Sequence, residues 1–284
     1  MSTATRQVRR RSTASSTGTV PRRAVPRWAV GVAGLLGAVV LAAIVLVTVG
    51  REGSSPASAA APPPSSAAVA EIDSHQIPVR EFALYLAQDR AATFAYFQQT
   101  YGVADGPHFW TTAHGGQTPA DHLKKLALAD VTRATVVLDL AQRNQLIPDA
   151  GYDAFLTAWT AENARRLKAV AAHQVIYGPV QYTEANYFSY VLNGVSAALP
   201  EKLAASGAVP ASDDALNAYY QSHLDSYRQQ DPGTHTLTQL PFSQAASQVR
   251  QDYLHDQFQT VVSGLARSAS VHIDTDVLNA VAVN

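Results

Sequence analysis

The feature that most constrains this chain is an uncharged run from Trp28 to Gly50, WAVGVAGLLGAVVLAAIVLVTVG. At 1.5 Å per helical residue, about 23 apolar residues reach across a hydrocarbon core of roughly 30 Å. The run predicts a single transmembrane helix. Its flanks predict the orientation. Arg6, Arg9, Arg10, Arg11, Arg22, Arg23 and Arg27 precede it, no acidic residue occurs before Glu52, and only Arg51 follows closely. Retained positive charge marks the cytoplasmic side. Residues 1–27 are therefore expected to be a disordered basic cytoplasmic tail, and everything after residue 50 to lie outside the cell. The competing reading is a cleaved leader, because Ala57-Ser58-Ala59 has the small-x-small pattern of a cleavage site and cleavage there releases a secreted domain. Leader apolar stretches span only about 7–15 residues, which favours the anchor.

Residues 51–68, REGSSPASAAAPPPSSAA, have almost nothing to bury and read as a linker, stiffened at Pro62 to Pro64. The tail carries seven of the 21 Lys and Arg, which leaves 14 against 22 Asp and Glu, a net of −8, for the rest. An acidic exported part argues against nucleic acid as a partner, since phosphate recognition needs clustered cations. The chain contains no cysteine, so neither a disulfide nor a lipid-modified cysteine is available.

Residues 69–284, about 215 in all, suffice for one substantial core. Helical periodicity dominates them. Val69 to Val79 alternates around Asp73-Ser74 and predicts a short hairpin. Phe82, Tyr85, Leu86, Phe94, Phe97 and Tyr101 predict a helix over 79–101, stopped by Gly102. Thr118, Pro119 and Asp121 form a capping-box start for a central helix ending near Asn144, with Leu123, Leu126, Ala127, Ala134, Val137, Leu138 and Ala141 as its stripe. A third helix, 152–173, places Tyr152, Phe155, Trp159 and Leu167 inward and Glu162, Arg165, Arg166 and Lys168 in water. A fourth starts at Thr183-Glu184, with Pro200 as its stop or a kink, and a fifth follows Ser212. An irregular stretch, Arg228 to Gln239, precedes a last long helix over 243–268 and the strand-like Val271-His272-Ile273.

Several segments then resemble the extracytoplasmic foldases typified by SurA and PrsA. VAEIDSHQIPVREF resembles their opening hairpin and helix, HLKKLALADVTRATVVLDLAQRNQLIP the next helix and its exit, VPASDDALNAYYQSHLDSYR the helix before their inserted isomerase, and LPFSQAASQVRQDYLHDQF with VHID the closing helix and strand. The resemblance implies a mostly helical chaperone domain with a few short strands formed from its two ends. In those foldases a parvulin prolyl isomerase lies where this chain has only the twelve or so residues between Tyr227 and Leu240, too few to bury a core. The pocket that resemblance implies, a Met-Phe wall with paired histidines, has no counterpart: the sole methionine is Met1, and His235 stands alone in that stretch.

Other chemistry finds no seat. His108, His114 and His122 do not match a ligand spacing such as H-E-x-x-H. There is no G-x-S-x-G elbow and no G-x-x-x-x-G-K loop. No catalytic, cofactor or metal residue is assigned. Aromatic residues at helical spacing are usually core; the subset taken as candidates for gripping a client is Phe109, Trp110, Tyr187, Phe188 and Tyr190. The reading is a membrane-anchored extracytoplasmic chaperone-like protein that binds unfolded, newly exported polypeptides without catalysis. The alternatives are a divergent peptidyl-prolyl isomerase and an adaptor for one folded partner.

Overall fold

The computed structural model describes residues 63–283. The predicted tail, the span over 28–50 and most of the linker lie outside the described residues. Among the described residues no helix is long and apolar enough to cross a membrane.

The described part is mostly helical, with a few short strands. Strands β1 (Ala68–Ile72) and β2 (His75–Pro78) pair antiparallel through a turn in which Asp73 takes φ 52°. Asp tolerates that left-handed backbone better than a branched residue does. Helix α1 (Val79–Tyr101) ends at Gly102, whose φ of 67° makes the reversal a side chain resists. Helix α2 (Pro119–Arg143) begins on the capping box: the Thr118 side chain accepts from the Asp121 amide, and the Asp121 carboxylate accepts from the Thr118 amide.

Helix α2 is the hub. Leu123, Ala127, Val131, Ala134, Val137 and Ala141 are buried along it, and α1, α4 and α6 all pack on it. Helix α3 (Tyr152–Ala171) packs against α4 (Glu184–Ala205), which continues past Pro200. That residue is therefore neither the stop nor a boundary. Helix α5 (Asp213–Ser222) starts where the Ser212 side chain accepts from the Ala215 amide. With a single 3-10 turn, Leu224–Tyr227, it packs Leu216, Tyr220 and Tyr227 against Ala245 and Val249 of α6 (Phe242–Ser268), a small second cluster beside the main core.

Residues 228–239 differ from the irregular stretch the sequence suggests. They form a hairpin of β3 (Arg228–Gln230) and β4 (Leu237–Gln239), exposed on every residue. Main-chain pairing satisfies its backbone where side chains bury nothing. Strand β5 (Val271–Ile273) returns to pair with β1, giving the sheet order β2-β1-β5, so the two ends of the described part meet in one sheet. A short final helix, α7 (Thr275–Ala280), capped by Asp274, was not foreseen from the sequence.

Candidate functional site

Helix α3 gives the largest departure from the expected pattern. Periodicity assigns Arg166 to water and Leu167 to the core; in the structure Arg166 is 6% exposed and Leu167 45%. The exchange has a local cause. Residues 172–183 fold back over α3, and several of their carbonyls take donors from side chains of the helix. Arg166 donates through Nη1 to the Pro179 carbonyl at 2.7 Å and through Nη2 to the Tyr177 carbonyl at 2.8 Å and the Tyr182 hydroxyl at 3.0 Å. Its Nε donates to Glu162, one turn earlier, at 2.9 Å. Asn163 and the Tyr182 backbone exchange two further bonds, and the Trp159 indole donates to the same Tyr182 carbonyl. Gly178, at φ 83°, lets the loop close around the guanidinium.

What this network holds up is apolar. Of the eleven large hydrophobic residues exposed among the described residues, six fall between residues 167 and 190: Leu167, Val170, Val175, Tyr177, Val180 and Tyr190. Tyr177 and Val175 are 87% and 81% exposed although the loop that carries them is tied down. Tyr190, on α4, stacks on Tyr182 with centroids 5.6 Å apart. The result is a crest of apolar side chains on a fixed backbone. Concentrated exposed apolar surface marks a contact site for another protein, and fixing it beforehand reduces the ordering cost of contact.

The candidate residues divide accordingly. Phe109 is buried against Phe94 and Phe97, and half-buried Trp110 carries Arg90 over its ring at 4.4 Å. Phe188 lies in the core, edge-on to Tyr85 at 5.6 Å. Tyr187 is buried beneath Tyr182 and Tyr190, and supports the crest. Tyr190 alone of the five stands exposed. Sequence reading missed Val175, Tyr177 and Val180, because isolated apolar residues in a loop carry no periodicity. Glu162, four residues before Arg166, is the available hint, although the sequence reading places both in water.

The histidines take other roles. His122 stacks flat on Tyr96 at 4.4 Å, and burial lowers its pKa. His114 lies against Phe97 and Tyr101. Among the described residues no group of three or more His, Asp or Glu is placed to hold a metal.

A second feature is a cleft of about 530 Å³ between β2, the start of α1, the middle of α2 and the start of α3. Ser74 to Pro78, Arg80, Glu81, Thr135, Leu138 and Asp149 to Ala154 are among its lining. Beside it Glu184 accepts from Arg80 at 2.7 Å and from the Tyr152 hydroxyl, which ties the starts of α1, α3 and α4 together. Burial first, then the bonded Glu184, pushes the Tyr152 hydroxyl pKa up.

No family model matches the chain, and no solved structure matches it. Over 148 residues it is 26% identical to a protein of Bifidobacterium longum subsp. longum named chaperone for lacto-N-biosidase. The alignment covers 51% of each, so the chain spans about half the length of that relative.

Proposed function

We propose that residues 69–284 form a chaperone-like domain that holds a client polypeptide on the crest of α3 and α4. The carrying observation is Arg166, spent on keeping Val175, Tyr177 and Val180 in water instead of letting them collapse onto the core. A distant relative named a chaperone supports the role. The charge asymmetry around residues 28–50 supports a tether on the outer side of a membrane, where the clients are newly exported chains. The likeness to SurA and PrsA supports a foldase scaffold that works by contact alone.

The direct test is suppression of client aggregation by the full chain, compared with a Val175→Ser, Tyr177→Ser variant. Loss of suppression in the variant supports the reading; equal suppression by both removes the crest from it. A second reading, one dedicated client, is favoured by the relative's name, which specifies a single enzyme. Crosslinking in cells separates the two, since one dominant adduct identifies a dedicated client and many weak adducts a general one.

A further inference from the structure

The cleft beside β2 contains a side chain that the crest does not use. Glu81 lines it, is 5% exposed, and makes no hydrogen bond and no ion pair within the described residues. A buried carboxylate without a partner is strongly disfavoured unless it is protonated or meets a cation. Desolvation accordingly pushes its pKa up to about 8.

The surroundings favour the cation. Two positive or potentially positive groups line the cleft, and both are committed: Arg80 to Glu184, and His75 to Asp139 at 2.7 Å. The acids Asp149 and Asp153 also line the cleft, neither with a salt bridge among the described residues, and the Tyr85 and Tyr152 hydroxyls lie near enough to feel the charge of Glu81. Glu81 also sits in the first turn of α1, whose dipole favours the ionised carboxylate once a counter-charge arrives.

The wall formed by β2 has its own chemistry. It is an edge strand, paired to β1 on one side only. Five consecutive residues, Ser74 to Pro78, line the cleft. Because side chains alternate along a strand, five lining residues in a row bring the main chain of β2 to the space as well as its side chains; Ser65, Ser66 and Ala68, beside the start of β1, close the same cleft at the Pro78 end. Among the described residues, no backbone group of His75, Gln76 or Ile77 bonds outside the sheet. Such an edge is a template for an added strand.

We propose that the cleft binds an extended polypeptide segment, which pairs along β2 and places a lysine or arginine side chain against Glu81. The occupant's identity as client chain rests on the client-binding reading above; the site does not. Binding converts a neutral carboxyl into an ionised one, so it releases a proton, and affinity for a basic segment rises from pH 6 to pH 8.

The test uses the full chain and fluorescent peptides of about ten alternating threonine and valine residues, long enough to exceed the strand. The central residue is lysine, norleucine or glutamate. The expected result is a preference for lysine over norleucine of roughly tenfold or more, the scale of a desolvated charge pair, abolished by Glu81→Gln. Methylating alternate peptide nitrogens should abolish binding as well. Equal binding of the three peptides, an unchanged lysine preference in Glu81→Gln, or indifference to methylation overturns the assignment. A wild-type lysine preference that stays flat between pH 6 and pH 8 overturns it without recourse to any variant. The crest variant Val175→Ser, Tyr177→Ser serves as control. If it loses client capture but keeps the lysine peptide, both sites stand; if the wild type captures no client yet binds the lysine peptide, only the client-binding reading fails.

Discussion

The guanidinium carbon of Arg166 lies 4.5 Å from the centre of the Tyr182 ring, while its Nη2 donates to the hydroxyl of that same residue at 3.0 Å. One side chain therefore grips both the face and the rim of the ring, and Tyr182 in turn stacks under Tyr190. The crest is built on that grip. Arg166→Ala should lower stability by about 1–3 kcal/mol, since it strands two carbonyls and a hydroxyl. Limited proteolysis should then cut within residues 172–183. Arg166→Lys should rescue little, because one ammonium cannot reproduce a planar fork over the ring.

Val175→Ser with Tyr177→Ser should leave the melting midpoint almost unchanged, because both side chains already stand in water and exposed substitutions stay within about 0.5 kcal/mol. Client capture should nevertheless fall several-fold. Unchanged capture measured by aggregation suppression would show that the exposed side chains are bystanders.

Stability should run against the usual acid-denaturation trend. Glu81 holds its proton in the folded state up to about pH 8, against an ordinary value of 4.5. Asp89 is raised too, first by burial and then by Asp130 facing it. Both groups hold extra protons in the folded state up to about pH 7, and Glu81 alone up to about pH 8, so they make stability fall as pH rises, by at most about 1.4 kcal/mol per unit from Glu81. Denaturant midpoints should be higher at pH 5 than at pH 8. Glu81→Gln should reduce the slope, most clearly between pH 7 and 8, where Asp89 no longer contributes, and an unchanged slope there assigns it elsewhere.

Replacing residues 229–238 by a short glycine-serine turn should preserve both fold and client capture, since β3 and β4 bury nothing. The Leu240 amide already donates to the Tyr227 carbonyl at 2.9 Å across the base of the hairpin, so the excision leaves the joint closed. Circular dichroism and aggregation suppression read the two outcomes. Loss of helix content would mean that the hairpin supports α5 and α6.

Capping chemistry and apolar period made most elements legible in advance. Thr118 with Asp121, Ser212, Thr183 and Gly102 each mark a boundary through a local bond or a local φ, and α2 shows an unbroken stripe. The polar ladder inside α1 was not legible. Glu81, Asp89 and Thr93 continue the fourfold spacing of Tyr85, which periodicity does place inward, and all are buried; Tyr85 Oη, Asp89 Oδ2 and Thr93 Oγ1 have no hydrogen-bond partner among the described residues. A polar residue at helical spacing reads as the wet face unless the tertiary surroundings are known. The crest failed to show for the opposite reason: its backbone is fixed by long-range bonds from Arg166 to residues 177–182, and those leave no mark on periodicity. The cleft needed coordinates outright, because β2, α2 and α3 converge there only after folding.

The pairing of β1 with β5 also sets a timetable. The Ser270 amide donates to the Asp73 carboxylate 197 residues away, at the joint where β5 pairs with β1. A polypeptide made from its N-terminus cannot close this clasp until residues 270–273 have been made, and such distant contacts slow folding. An interrupted product would thus lack the third strand however many helices it had formed, leaving the outer side of β1 bare and sticky.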